Sequence, residues 1–266
     1  MAELKWRDRR PSFSEYVPWL MAKHGVSISE VQSNHYQAVV DRISAAVRTS
    51  EFWGKLEANL SNINDAYESE KKERLLDTQM PDVKSKSWES FLNKTFRKNV
   101  LNNEFYPEAP KDGWLLPPDW TSGINDISRT TFVVRYLDGV EYLSDKIASI
   151  CSELGLKVDR DYEAKIEGYY AVHMYIYYDV SVPTATFNTE TIRVRFELQI
   201  TTQVKEFVKG ILHRIYDVDR IQGATSSKNW AWDYESDEFI AHNLGHIVHY
   251  VEGMIVQVRD RQRSRK

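Results

Sequence analysis

Residues 192–200 read IRVRFELQI. Val194, Phe196, Leu198 and Ile200 alternate with Arg193, Arg195, Glu197 and Gln199, a period of two that predicts a strand with one apolar and one polar face. Working outward, residues 169–180 (YYAVHMYIYYDV) repeat the alternation and place His173, Tyr175 and Tyr177 on one face. Residues 129–137 (RTTFVVRYL) do the same with Arg129, Thr131, Val133 and Arg135. Between these runs, residues 138–154 carry Val140, Leu143, Ile147 and Ile150 at helical spacing.

The flanks are helical. Residues 12–75 predict helices, with Ser12 or Ser14 and Ser27 or Ser29 as N-caps. Residues 65–76 (DAYESEKKERLL) read as a solvated helix face, and residues 81–103 as a helix rich in Lys and Arg. Residues 104–120 hold four of the eight prolines and predict a connection without regular structure. Two more helices are expected over Thr202–Tyr216 and Glu235–Val258, with RDRQRSRK after them as a frayed tail. Helices, then strand–helix–strand–strand, then helices, is an α+β order: a small mixed or antiparallel sheet flanked by helices. The expected division is a helical extension over 1–80, a core over 81–220, and a second helical extension over 221–266.

Composition narrows the function classes. The chain has 266 residues, 42% hydrophobic and 28% charged, with 15 Tyr, 10 Phe and 8 Trp, enough apolar surface for a packed core. The net charge of −4 gives no global support for nucleic-acid binding. A single cysteine, Cys151, rules out an intrachain disulfide framework and a cysteine zinc site. No apolar run approaches the roughly 18 residues of a membrane span, and the first residues lack a signal-peptide core, so a cytoplasmic location is expected.

The polar strand faces have two readings. One is an ordinary solvated sheet face. The other is a floor that binds phosphates through Arg and does acid–base or metal work through Glu. Asp126 sits in GINDIS at a loop-to-strand junction, and RDYEAKIEGYY contributes Arg160, Lys165 and two Tyr after Gly168. Two carboxylates beside phosphate-binding cations suit Mg²⁺. A Tyr after Gly suits base stacking. Tyr169 is the better candidate than Tyr170, because His173 shares its face. In residues 83–98 (VKSKSWESFLNKTFRK), Lys86, Ser90 and Lys94 are spaced i, i+4, i+8 on one helix face. His242, His246 and His249 share part of another face, where packing or partner contact outweighs a metal site, since no H-E-x-x-H pattern is present.

These residues resemble the RelA/SpoT-type alarmone synthetases. That family has R-x-K-x-x-x-S-I-x-x-K on a helix, against Lys84, Lys86, Ser90, Phe91 and Lys94 here. Its D-I/L-A-G-I-R strand entry is matched by Asp126, Ile127, Ser128 and Arg129. Its K-D-Y-I and P-K-x-N-G-Y-R-S-I/L-H runs are matched by Arg160, Asp161, Tyr162, Lys165, Gly168, Tyr169 and His173. Its E-I-Q-I-R-T run is matched by Glu197 to Thr202. The four patterns occur in order over residues 81–220.

The resemblance implies a nucleotidyltransferase-like core that transfers pyrophosphate from ATP to a ribose hydroxyl of a purine nucleotide, giving (p)ppGpp- or (p)ppApp-type products. It implies ATP phosphates on Lys86, Ser90 and Lys94, adenine against Lys84 and Arg135, and Mg²⁺ on Asp126 and Glu197. Glu197 would also be the general base and Gln199 its orienting partner. Tyr169 would stack on the acceptor base, with Arg160, Lys165 and His173 at acceptor phosphates or the transferred group. Several departures fall on the acceptor side: Tyr170 and Ala171 replace an Arg-Ser pair, Glu167 an Asn, and Thr201 an Arg; Thr131 stands where the family has an Arg after the aspartate. Small synthetases and toxic synthetases are the nearest groups. The toxic group adds an antitoxin protein as partner and an alternative acceptor, the 3′ CCA end of tRNA. A homo-oligomer is left open.

Overall fold

The computed structural model describes residues 9–77, 79–116, 124–184, 188–210 and 230–264. The second half of the helix expected over Thr202–Tyr216 and the end of the proline-rich connection lie outside them, and residues 203–210 are helical. The helices are α1 (Tyr16–His24), α2 (Glu30–Arg48), α3 (Glu51–Lys71), α4 (Trp88–Phe96), α5 (Leu137–Glu153) and α6 (Asp237–Arg263). The strands are β1 (Lys84–Ser85), β2 (Ser128–Val134), β3 (Val158–Ala164), β4 (Tyr170–Pro183) and β5 (Thr189–Thr202). They form one mixed sheet in the order β1-β2-β5-β4-β3, flanked by helices, so the α+β expectation holds.

Two compact units interleave along the chain: residues 1–49, 83–129 and 177–196, and residues 50–82, 130–176 and 197–266. In the first, Tyr36, Val39, Val40 and Ile43 of α2 are buried with Phe91, Ile124, Ile127, Val180, Val182 and Val194. A second cluster joins Tyr16, Trp19 and Leu20 of α1 to Phe96 and Val100. The start of α2 is fixed by Ser29, whose backbone N–H donates to Gln32 Oε1 at 3.0 Å, the reach-back half of a capping box.

In the second unit α3 and α5 are in contact, with Tyr67 and Tyr142 edge to face at 5.0 Å and Lys55 paired to Glu153 at 2.7 Å. Leu143, Ile147 and Ile150 of α5 are buried, as the spacing predicts. Cys151, on the same helix, is wholly buried, and burial pushes its thiol up to about 12. Buried Asn64 accepts from the backbone of Leu75 and Leu76, which fixes the chain leaving α3.

Three expectations are corrected. The helix read over 81–103 begins only at Trp88: Lys84 and Ser85 pair antiparallel with Arg129 and Ser128, and the Ser87 hydroxyl caps the helix by accepting from Ser90 N. The expected strand order has no strand at 158–164, where VDRDYEA lacks apolar alternation; β3 forms there and pairs antiparallel with β4 from Val158↔Ile176 to Ala164↔Tyr170. The tail does not fray at Val258. Helix α6 runs to Arg263, with Arg259 bound to Asp138 at 2.6 Å and Arg263 to Asp260 at 3.7 Å.

Candidate active site

In the first unit, charges gather around Asp126. This residue occupies the turn before β2, where Lys86 N donates to Ile127 O at 2.9 Å. Its carboxylate holds Lys94 at 2.6 Å and Lys86 at 2.8 Å, one ammonium on each oxygen. Lys86 and Lys94 therefore meet, but not as one helix stripe: Lys86 precedes the helix cap and Lys94 lies on α4. Ser90 is also on α4, its hydroxyl accepting from Ser87. Lys84 is exposed on β1, opposite Arg129.

The cluster carries more positive charge than one carboxylate can offset. Burial alone would raise the Asp126 pKa, but Lys94 and Lys86 outweigh it and hold the carboxyl at about 2. Lys86 is nevertheless lowered, because burial and the neighbouring Lys94 and Arg129 outweigh the help of Asp126. Lys98 is lowered by burial and then by Lys94, with a smaller push from Arg195. Ammonium groups held below their usual range are stabilised by a further anion, so this region is suited to a polyphosphate.

Asp126 gives a testable titration. A carboxyl depressed in the folded state adds stability above the unfolded value near 4, and that stability is lost as pH falls through about 2. In Lys94→Ala, burial is less opposed, so the Asp126 carboxyl should titrate at a higher pH. Carbon NMR of the aspartate side chains reads this directly. An unmoved titration would show that Lys94 does not hold Asp126.

Two residues missed in the sequence position this cluster. Tyr36, buried on α2, donates its hydroxyl to Lys86 O at 2.9 Å. Ser44 on the same helix bonds the hydroxyls of Ser85 (2.8 Å) and Ser128 (3.2 Å). Both read as core-facing helix positions, and nothing in the local pattern marks them.

In the second unit, β4 and β5 set a hydrogen-bonded chain. His173 Nδ1 lies 2.9 Å from Glu197 Oε1, and His173 Nε2 lies 2.9 Å from the Tyr169 hydroxyl. Glu197 and His173 are 5% and 7% exposed, which overturns the solvated-face reading of this part of β5. The other carboxylate oxygen, Glu197 Oε2, is buried with no hydrogen-bond partner among the described residues. Gln199 is buried too, with Thr131 Oγ1 at 3.5 Å from its Oε1. Lys165 Nζ stands 5.5 Å from the Tyr169 ring centre. Arg135 lies beyond the end of β2, its backbone N–H donating to Leu75 O and its Nε buried without a partner among the described residues.

Arg160 is placed apart from this chain. It is the register partner of Met174, whereas Asp161 is the partner of His173, so Arg160 points to the opposite face. There it binds Asp145 of α5 at 2.6 Å. The sequence could not separate the two faces, because β3 was not recognised as a strand.

Adjacent Tyr169 and Tyr170 also part company. Tyr170 stacks on His249 of α6 at 3.8 Å and 2°, and its hydroxyl bonds His246 Nδ1 at 2.8 Å. His246 Nε2 meets Ile166 O at 2.8 Å, so both nitrogens of that ring are engaged in packing. Lys205 lies 5.6 Å from the Tyr170 ring and 3.4 Å from buried Glu252. Beneath this lies a close backbone approach: Gly168 has φ +75°, and a Cβ there would stand 2.4 Å from His242 O. Among the described residues, no three His, Cys, Asp or Glu side chains gather as a metal site. No described helix is long and apolar enough to cross a membrane.

No family model and no curated relative matches the chain. Solved structures do. Small alarmone synthetase 1 from Bacillus subtilis superposes with a TM-score of 0.54 at 16% identity, covering 84% of this chain and 97% of that one. The chain has the small alarmone synthetase fold. The same synthetase bound to its product pppGpp gives 0.52 at 16% identity, over 82% of this chain and 96% of that one. Small alarmone synthetase 2 from the same organism gives 0.52 at 16% identity, over 86% and 99%. Against this synthetase fold, the Asp126 cluster and the Glu197 chain are the two charged constellations to be assigned a role.

Proposed function

We propose that the protein is a RelA/SpoT-type pyrophosphokinase, with residues 81–220 as its catalytic core and helical extensions on either side. The observation that carries this is Glu197: a buried carboxylate with one oxygen fixed by His173 and the other without a partner among the described residues. Leaving a buried carboxylate oxygen unpaired is costly unless a ligand completes it. In this reading Glu197 accepts the proton of a ribose hydroxyl on a purine nucleotide. The hydroxyl oxygen attacks the β-phosphorus of ATP, the bond from that phosphorus to the α–β bridging oxygen breaks, and AMP leaves. Lys86, Lys94 and Ser90 hold the polyphosphate, and the excess positive charge around Asp126 supports that role. Lys84 and Arg135 serve the adenine.

Both carboxylates are hard oxygen donors of the kind Mg²⁺ takes, and each Asp126 oxygen keeps a lone pair beyond its ammonium. Mg²⁺ on Asp126 and Glu197 would supply neutralisation of phosphate charge. The fold likeness adds support, since one structure of that fold holds pppGpp.

Acceptor choice falls to Tyr169, Lys165 and His173, with Gln199 orienting Glu197. Tyr169→Ala should weaken acceptor use about 10- to 100-fold, from the roughly 1–3 kcal/mol that base stacking contributes. Tyr169→Phe keeps the ring but removes the bond to His173, so it should lower turnover more than it raises the acceptor KM. Unchanged KM and turnover in Tyr169→Ala would remove the residue from the site.

The alternative acceptor, a tRNA 3′ end, is motivated by Tyr170. It occupies the position of the family Arg and is committed to α6 through His249 and His246. Incubation with labelled ATP and either free GDP, GTP and adenine nucleotides or deacylated tRNA separates the two. Label confined to free nucleotides supports the alarmone reading. Label confined to tRNA supports the toxin reading. No AMP release with any acceptor overturns both.

A further inference from the structure

In the second unit, helix α3 and the chain that leaves it enclose a cleft of about 540 Å³. Asn64, Asp65 and Glu68 line one wall, and Arg74, Leu76 and Asp77 line the other. Leu76 is the only apolar lining among the described residues, so the cleft offers nothing to an apolar ligand. The two walls are tied together. Asn64 Oδ1 accepts from Leu75 N at 3.0 Å and from Leu76 N at 3.3 Å, and Leu76 bridges antiparallel to Val134 of β2. That leaves the other end of the same amide. Asn64 is 5% exposed, and its Nδ2 has no partner among the described residues. A buried amide nitrogen that lines a cleft and donates to nothing marks the place of an acceptor.

The charges on the walls are also uncommitted. Arg74, Asp65, Glu68 and Asp77 make no ion pair with any described residue, although both signs share one cleft. Three carboxylates against one guanidinium leave negative charge in excess. Among the described residues, no three His, Cys, Asp or Glu side chains gather closely enough to hold a metal ion, so the excess is spread along the cleft. An extended ligand with separate positive groups matches that spread, and one carboxylate on it matches Arg74 and Asn64 Nδ2. We infer that the cleft binds a free dibasic amino acid, lysine or arginine. Its α-carboxylate lies on Asn64 Nδ2 and Arg74, and its two positive groups lie on Asp65, Glu68 and Asp77. A polyamine would set positive groups against Arg74 and leave the Asn64 donor unmet. A nucleotide would set phosphates against three carboxylates. An amino acid with a neutral side chain would leave the excess charge uncompensated. None of these residues takes part in the transfer proposed above.

Isothermal titration calorimetry of the full chain with L-lysine tests this. One lysine should bind per chain. Cadaverine lacks the carboxylate and norleucine the side-chain ammonium, and each should bind at least about 10-fold more weakly. Nα-acetyl-lysine, which mimics the C-terminal residue of a peptide, should be weakened alike. Arg74→Gln should weaken lysine about 10-fold and leave cadaverine unchanged, whereas Glu68→Gln should weaken both. Both side chains are exposed, so the melting temperature should hold in each variant. No heat from lysine or arginine at about 10 mM overturns the proposal. Cadaverine binding as tightly as lysine overturns it in favour of a polyamine site. Nα-acetyl-lysine binding as tightly as lysine overturns the free amino acid in favour of a peptide terminus. Lysine binding that neither variant weakens lies elsewhere on the chain and overturns the site.

Discussion

Glu197→Gln is expected to lower turnover by about 10²- to 10⁴-fold, the usual range for loss of a positioned general base. Its melting temperature should stay level or rise. The carboxylate is buried with Oε2 unpartnered among the described residues, so an ionised carboxylate is incompletely compensated there, and a neutral amide of the same shape removes that cost. If Glu197 were purely structural, any loss of activity in this variant would track a loss of folded protein. The measurement is AMP release from ATP beside a calorimetric melt. Near-normal turnover in a folded variant would remove Glu197 from the chemistry.

Gly168→Ala is expected to be the most destabilising added methyl among the described glycines. The residue has φ +75°, which costs an L side chain roughly 1–2 kcal/mol. Its Cβ would also stand 2.4 Å from His242 O and 3.1 Å from Gly245 Cα, and overpacking of this kind costs about 1–3 kcal/mol. Together these give about 2–5 kcal/mol, or a melting temperature lower by roughly 5–20 °C for a chain of this size. Gly245→Ala meets the same contact from the helical side, 2.4 Å from Gly168 O, but without the backbone strain. It should lose about half as much. Melting temperatures within about one degree of wild type in both variants, a margin under the roughly 2–4 °C shift from about 1 kcal/mol, would mean that α6 does not touch this turn.

Legibility in the sequence followed periodicity. β5 and α5 were readable because alternating or helical apolar positions survive on one buried face. β3 was not, because its residues are mostly exposed and charged, and pairing with β4 rather than burial makes it a strand. Lys86 does meet Lys94, but from a different element than the spacing suggested. The i, i+4, i+8 spacing suggested a helix, whereas Ser87 starts the helix one residue later and a turn brings Lys86 back to Asp126. The pairing of His173 with Glu197 was half legible: parity put each on the polar face of its strand, but strand order is a tertiary fact. Tyr36 and Ser44 were invisible, since a buried hydroxyl on a helix looks like any other core position until its partner is known. The opposite facing of Tyr169 and Tyr170 was inferable from strand alternation, whereas the capture of Tyr170 by α6 was not.

Cys151 makes the molecule its own clock. It is the chain's single thiol, wholly enclosed on α5, and burial holds it protonated far above neutral pH. A thiol reagent therefore finds no target until α5 is uncovered, and the alkylation rate counts openings of the second unit. Nucleotides added one at a time should slow that count only if they bind the closed form, which turns one sulfur atom into a ligand assay that needs no turnover.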